Sequence, residues 1–127
     1  MSGRVFDLEE RLIDFSARVI DVVESLPKTR TGNYVAGQLI RCGLSPCLNY
    51  GEAQGAESRE DFVHKMKVIL KELKETRVCL KLIRKKNMIN PQNRLDSIQQ
   101  ENEELIAITS KSISTARANN QSLKSKN

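Results

Sequence analysis

The chain is poor in aromatic residues: it contains no tryptophan, and aromatic residues make up only 4% of the sequence. It also contains only three prolines, and Lys, Glu, Leu, Ile and Ala dominate its long middle segments. Taken together, these features favour all-α over β architecture, so the composition predicts an all-α fold. At 127 residues, the chain can bury a core without help from disulfides or metal, which predicts one main domain.

Long apolar runs are also absent. No stretch approaches the roughly 18 consecutive apolar residues that a membrane-spanning helix requires, and no signal peptide opens the sequence. The three cysteines cannot all pair with one another. We therefore expect a cytoplasmic protein with reduced cysteines and no membrane partner.

Residues suited to catalysis or metal binding are scarce. His64 is the single histidine, and neither it nor Cys42, Cys47 and Cys79 stands in a CxxC or HxxxH spacing that would indicate zinc. No base or orienting group is spaced to activate a cysteine nucleophile, and no glycine-rich phosphate loop follows a strand. The sequence predicts a protein that is not an enzyme, with no catalytic residues, no metal and no cofactor.

Four stretches repeat apolar residues at steps of three and four, which is the spacing of an amphipathic helix. They span residues 7–26, about 34–54, about 58–83 and about 91–118. The links between them are short, which predicts an antiparallel, up-down-up-down four-helix bundle over residues 1–118. Residues 119–127 hold mostly Asn, Gln, Ser and Lys, so we predict a disordered basic tail there.

Three local signals are expected to shape these helices. Ser58 stands three residues before Asp61, as in a capping box at a helix start. Asn90 precedes Pro91, which predicts a cap residue followed by proline at the first position of the fourth helix. Pro46 removes one helical hydrogen bond, so we predict that the second helix is bent or briefly broken near Gly43 to Pro46.

The second helix carries a polar row on one face. Its members recur every three or four residues: Arg41, Ser45, Asn49 and Glu52. Glu72 and Glu75 of the third helix could face Arg41 across the bundle, and a structural ion pair explains them better than catalysis. The row has two interpretations, a buried network that fixes helix register or part of a subunit or ligand surface. We favour the buried network, because buried polar groups need partners.

The same region carries a resemblance to a known family. The matching positions lie at fixed spacing along the second and third helices: Arg41, Gly43, Ser45, Asn49, Glu52, Ala53, Ser58, Arg59, Asp61, Phe62, Lys71, Glu72, Leu73, Glu75 and Thr76. They resemble the small bacterial four-helix bundle proteins encoded by intervening sequences in large-subunit ribosomal RNA genes. A related branch includes the accessory variability protein of diversity-generating retroelements. The resemblance covers roughly residues 5–118, although Pro46 and Cys47 stand where the family usually has isoleucine and proline.

This resemblance implies assembly into a ring, with five subunits as the expected number. Apolar positions beyond a single heptad stripe, namely Ile13, Val23 and Ile106, agree with that expectation because they would stay exposed in a monomer.

The third helix is the basic one. Residues 64–86 carry nine Lys and Arg against two acids, in a chain whose net charge is +5. The spacing puts five lysines on one face, with Arg84 beside them: Lys67, Lys71, Lys74, Lys81 and Lys85. A solvated face would usually mix charge signs, so we predict that this face binds nucleic-acid phosphates. Aromatic residues lie elsewhere, so the binding is expected to be independent of sequence.

Two functional hypotheses follow. The leading one is a non-catalytic, oligomeric protein that grips the phosphates of structured RNA or RNA–DNA through the third helix. The alternative is a protein-interaction adaptor that docks a reverse transcriptase, as the resemblance to retroelement accessory proteins implies. Retention of a polymerase in nuclease-treated lysate would separate the adaptor from the RNA binder.

Overall fold

The computed structural model describes residues 7–126, with side-chain environments for residues 7–119. Over this range the chain forms four α-helices, one short 3-10 helix and no strand, which confirms the all-α four-helix bundle. The elements are α1 (Leu8–Glu24), α2 (Arg30–Gln54), α3 (Arg59–Lys85), η1 (Gln92–Leu95) and α4 (Asp96–Lys126). Helix α2 packs against α1 and α3, and α4 packs against α3 and α1. The antiparallel direction of the helices stays a prediction.

Helix α1 begins where its sequence provides a cap. The side chain of Asp7 accepts a hydrogen bond of 3.0 Å from the backbone N–H of Glu10, which satisfies one of the unpaired donors at a helix start. The buried face of α1 includes Leu12, Phe15 and Val19, none of which is exposed to solvent. The heptad spacing therefore places the core stripe of this helix correctly.

Helix α2 begins at Arg30, earlier than the predicted start near Tyr34. Thr29 caps it by accepting a 3.0 Å hydrogen bond from the backbone N–H of Gly32. A Cβ atom on Gly32 would clash with the carbonyl oxygen of Pro27. Only glycine therefore allows the first turn of α2 to pack this closely against Pro27. The segment before Tyr34, which the sequence predicts as a loop, is helical from Arg30 onward.

Pro46 does not interrupt α2. The helix is continuous from Arg30 to Gln54, so the predicted break is wrong, whereas a bend stays a prediction. Contacts with α1 hold this segment in place, because the hydroxyl of Ser16 donates to the carbonyl of Gly43 at 3.2 Å. A Cβ atom on Gly43 would lie 2.7 Å from Cγ1 of Val19, so the absence of a side chain lets the two helices approach closely here.

The starts of α3 and α4 differ in how well the sequence predicts them. Ser58 caps α3 by accepting a 3.0 Å hydrogen bond from the backbone N–H of Asp61. The residues after Asn90 and Pro91, in contrast, form the 3-10 helix η1, and α4 begins only at Asp96. The predicted start of the fourth helix is therefore wrong, because the 3-10 helix η1 lies at that position.

The end of α4 also differs from the prediction. The backbone remains helical to Lys126, so the helix does not stop near Ala118. The side chains from residue 120 onward, together with residue 127, lie outside the described part of the chain. The division of the chain into a bundle and a tail stays a prediction.

All four helices contribute to one core. Its fully buried side chains include Phe15, Leu39, Met66, Leu80 and Leu105. Of the three surplus apolar positions, Val23 and Ile106 are buried and Ile13 is 48% exposed. The expectation that all three would be exposed in a single copy is therefore wrong for two of them, because the apolar faces of α1 and α4 are wider than a heptad stripe.

Candidate nucleic-acid interface

The five lysines predicted to bind phosphate are all exposed, and all belong to α3. They are Lys67, Lys71, Lys74, Lys81 and Lys85, and we call this surface the lysine face. The same helix buries Met66, Ile69 and Leu73 on its other side. The helical spacing thus separates the charges from the core, as the sequence predicts.

Two of the three arginines of α3, Arg77 and Arg84, are used differently from the lysines of the lysine face. Arg77 donates two hydrogen bonds to the Glu103 carboxylate, at 2.8 and 3.0 Å. Arg84 forms an ion pair with Asp96 and donates from Nε to the side-chain oxygen of Gln99 at 2.9 Å. Both guanidinium groups therefore tie α3 to α4, and Arg84, which the sequence assigns to the nucleic-acid surface, is already engaged within the bundle.

The lysine face has no such counter-ions. Within residues 7–119, none of its five ammonium groups forms an ion pair with a carboxylate. Lys81 lies near Glu103, where its charge and the hydrogen bond from Arg77 lower the pKa of that carboxyl, with the hydrogen bond the larger cause. Glu103 is itself bonded to Arg77, so the positive charge of the lysine face is left largely uncompensated.

The surface between the lysines is apolar. A shallow groove of about 530 Å³ runs along α3, and its lining is Lys67, Leu70, Lys71, Lys74, Glu75 and Val78. Val78 is 63% exposed. The sequence gives no signal for this groove, because leucine and valine in a helical pattern ordinarily indicate core positions.

The polar row of α2 meets α3, as predicted. Arg41 forms an ion pair with Glu75 at 3.1 Å. The side-chain amide of Asn49 donates to Glu72 at 2.9 Å and to the hydroxyl of Ser45 at 3.0 Å. The row therefore links α2 to α3 through side chains of both helices.

The predicted burial of the row is wrong for Arg41 and Glu52, however, whereas Ser45, Asn49 and Glu72 are half-buried. Arg41 remains 54% exposed and its partner Glu75 remains 39% exposed. Glu52 is likewise exposed, and it pairs with Lys65 at 2.9 Å. The hydrogen bond that Arg41 donates to the Glu75 carboxylate raises the pKa of Arg41 further above its already high value. The row is thus a surface network at the α2–α3 seam, and its position at the surface keeps the second interpretation, a binding surface, open.

Two cysteines come together where the sequence gives no signal. Cys42 of α2 and Cys79 of α3 lie close enough for their thiols to interact, and this interaction lowers the pKa of Cys42 to about 7 and raises that of Cys79. All three cysteines are free, and His64 is exposed elsewhere on α3. Among the described residues, no three His, Cys, Asp or Glu side chains gather where they could hold a metal ion.

Over the same part of the chain, every helix is too short or too polar to cross a membrane. The comparison with curated proteins gave no match.

A comparison with solved structures places the fold among known bundles. A crystal structure from Bacteroides thetaiotaomicron, described as a protein with unknown function from the S23 ribosomal protein family, is 26% identical to this chain. The match covers 84% of this chain and 98% of that one, with a TM-score of 0.78. The sequence profile described as "23S rRNA-intervening sequence protein" matches residues 6–111, which is most of the bundle. The chain therefore belongs to the 23S rRNA-intervening sequence protein family.

Proposed function

We propose that this protein is a non-catalytic nucleic-acid-binding protein that grips the phosphates of structured RNA or RNA–DNA through the lysine face of α3. The observation that carries the proposal is the set of five exposed lysines without an ion-pair partner in the described chain. A phosphate backbone satisfies such a surface because every Lys–phosphate contact releases condensed counterions. The family's name refers to 23S rRNA, which makes structured RNA the first ligand to test.

The dimensions of the lysine face suit several phosphates at once. Lys67 and Lys85 stand at its two ends, and a rise of about 1.5 Å per residue separates them by about 27 Å along the helix. Phosphates of one strand of a duplex follow one another every 3.4 Å or so along its axis, so the face can reach several of them. No aromatic side chain lines the groove between the lysines, so we expect no base stacking and no readout of sequence.

Arg84 is excluded from the proposed contacts. Its ion pair with Asp96 and its hydrogen bond to Gln99 occupy the guanidinium, and breaking them would loosen the α3–α4 contact. The lysines lack such ties and can adapt to a phosphate without a structural cost. The phosphate contacts are thus assigned to lysine side chains alone.

The test is a charge reversal with a matched control. The variant Lys67→Glu/Lys74→Glu/Lys81→Glu should lose binding to duplex RNA of unrelated sequences while its helicity stays unchanged, because all three side chains point away from the core. The control variant Lys28→Glu/Arg30→Glu/Lys111→Glu changes the net charge equally at exposed positions outside the lysine face. It should bind nearly as well as the wild type in a filter or polarisation assay.

The same experiment can refute the proposal. Equal losses in both triple variants would mean that binding follows net charge rather than the lysine face. Absence of wild-type binding at low salt would leave docking of a reverse transcriptase, the alternative that the family resemblance implies. Capture of a polymerase by the protein in nuclease-treated lysate would then support that adaptor role.

A further inference from the structure

A pocket of about 210 Å³ lies between α1 and α4, next to the link that joins α3 to η1. Its base is apolar, because Val22, Ile89 and Ile98 line it and are each at most 9% exposed. Its wall is polar and includes two arginines, Arg18 of α1 and Arg94 of η1. The pocket therefore combines an apolar base with two positive charges.

The two arginines of this pocket lack the carboxylate partners that other arginines of the bundle have. Ion pairs with carboxylates engage Arg11, Arg41, Arg77 and Arg84. Within residues 7–119, Arg18 and Arg94 form no such pair. Arg18 donates to the hydroxyl of Ser97 at 2.7 Å, and Arg94 donates to the hydroxyl of Ser25 at 3.0 Å. Neutral oxygens therefore hold both guanidinium groups, and their charges are not compensated.

These hydrogen bonds position the guanidinium groups and leave other donors available. The hydroxyl of Ser25 also donates to the backbone carbonyl of Asp21 at 2.9 Å, so the group that holds Arg94 is itself fixed to α1. A guanidinium has several N–H donors in a planar fork. In the described chain, one donor of Arg18 is engaged by Ser97, and two of Arg94 are engaged by Ser25 and the carbonyl of Asn90. The remaining donors suit an anion with several oxygens, such as a phosphate.

A carboxylate lines the same pocket. Asp21 is exposed, and within residues 7–119 it forms no ion pair. Its charge repels a simple anion, but an ionised carboxylate is a strong acceptor for hydroxyl groups, as acidic residues are for ribose in dinucleotide-binding folds. A ligand that carries both a phosphate and hydroxyl groups satisfies the two arginines and Asp21 together.

We propose that this pocket binds the 5′-phosphorylated ribose of a nucleotide. Arg18 and Arg94 hold the terminal phosphate, Asp21 accepts a hydrogen bond from a ribose hydroxyl, and the apolar base of the pocket packs against the sugar. A phosphomonoester carries a charge of about −1.5 to −2 at neutral pH, which two guanidinium groups balance. A recessed pocket also favours a chain end, since a phosphate within a strand has sugars attached on both sides. Free nucleoside monophosphates and the 5′ end of RNA both carry this group.

The pocket is separate from the lysine face. Ser97 of α4 bonds Arg18 of α1, whereas Asp96 and Gln99 of α4 bond Arg84 of α3. The pocket and the lysine-bearing helix therefore lie on different sides of α4. The inference goes beyond the proposed function and does not rest on it, because a single nucleotide can occupy the pocket without contact to the lysine face.

Calorimetric titration with adenosine 5′-monophosphate at physiological salt tests the pocket. The wild type should bind it, and Arg18→Gln/Arg94→Gln should bind it at least about tenfold more weakly, because hydrogen bonds between charged groups are lost. The control Arg30→Gln/Arg117→Gln removes the same charge at exposed positions outside the pocket and should bind like the wild type. Circular dichroism should show equal helicity for every variant.

A second set of ligands tests Asp21 and identifies the source of the ribose phosphate. These titrations use Lys67→Ala/Lys74→Ala/Lys81→Ala, so that the lysine face contributes little. An RNA trinucleotide with a 5′ phosphate should bind more tightly than the same RNA with a 5′ hydroxyl. It should also bind more tightly than the 5′-phosphorylated DNA, because the 2′-hydroxyl of its first ribose can donate to Asp21. Adding Asp21→Ala should remove the preference for RNA and should tighten the binding of inorganic phosphate.

The outcomes separate this pocket from the proposed function. Retained binding of adenosine 5′-monophosphate by the lysine-face variant supports an independent pocket, whatever happens to duplex RNA. Binding of this nucleotide without the phosphorylated trinucleotide supports free nucleotides as the source, and binding of both supports RNA ends as well. No binding by the wild type, equal losses in the two arginine variants, or inorganic phosphate bound as tightly as the nucleotide would overturn the proposal. An RNA preference that survives Asp21→Ala would overturn the role of Asp21.

Discussion

Gly43→Ala tests the closest helix contact of the bundle. The added Cβ atom would lie 2.7 Å from Cγ1, 3.0 Å from Cγ2 and 3.3 Å from Cβ of Val19, so it meets the branched part of that side chain rather than a flexible end. Valine in a helix has one strongly preferred rotamer, which leaves it little room to turn away. We therefore expect an overpacking cost of about 1–3 kcal/mol.

A second, favourable effect acts on the same substitution. Replacing a glycine in the middle of a helix by alanine contributes about 1 kcal/mol of stability. The net effect of Gly43→Ala in the wild type should thus be a loss of up to about 2 kcal/mol. In a Val19→Ala background the obstructing methyl groups are gone, and the same substitution should stabilise the protein by about 1 kcal/mol. The prediction is a change of sign, which a single-variant measurement would not reveal.

The assay is urea unfolding of the four proteins of this double-mutant cycle at one protein concentration, because self-association would make stability depend on concentration. Gly51→Ala is the control, since its Cβ atom would meet nothing within 4 Å and it should be stabilising or neutral in both backgrounds. If Gly43→Ala stabilised the wild type as much as Gly51→Ala does, α1 and α2 would not approach each other as described.

Three further predictions concern charge. Arg41→Ala should leave the melting temperature nearly unchanged, because both side chains of the Arg41–Glu75 ion pair are more than a third exposed. A large drop in the melting temperature would mean that another copy of the protein buries the pair. The hydrogen bonds from Arg77 lower the pKa of Glu103, so their contribution to stability is present above the carboxyl's unfolded pKa and is lost as pH falls through the lower folded pKa. Arg77→Gln should accordingly lose less stability than the wild type when urea unfolding is repeated in acid. If five lysines contact phosphates, the logarithm of the affinity for duplex RNA should fall with the logarithm of the salt concentration, with a slope of about −4 to −5. The affinity should then fall about 500-fold between 50 and 200 mM salt. For Lys67→Ala/Lys74→Ala/Lys81→Ala, titrations should give a slope that is shallower by about 2–3.

The sequence predicts this fold well where the signal is periodic. Leu12, Phe15 and Val19 form the buried stripe of α1 because the heptad pattern is local and regular. Ser58 caps α3 because the cap needs only residues three positions apart. The exposed lysine face follows from the same helical spacing.

The errors arise where distant residues decide the structure. Pro46 suggests a broken helix, but contacts of Ser16 and Val19 with Gly43 hold that segment on α1, and no local pattern reveals them. Arg41 pairs with Glu75 of α3 as predicted, but its side chain is exposed. Which side chains are buried between α2 and α3 depends on how each helix is rotated about its own axis. The meeting of Cys42 and Cys79 likewise depends on the register between α2 and α3, which neither helix encodes alone.

The arginines that bond α4 and the lysines of the lysine face differ in their chemical reactivity. Arg77 and Arg84 bond α4 through planar, permanently charged groups, whereas the bases of the lysine face are primary amines on flexible stems. An acylating reagent attacks amines and spares guanidinium groups. It would therefore remove the positive charge of the outer surface while leaving the α3–α4 connections intact, so the charge of this surface can be adjusted by covalent modification without unfolding the protein that carries it.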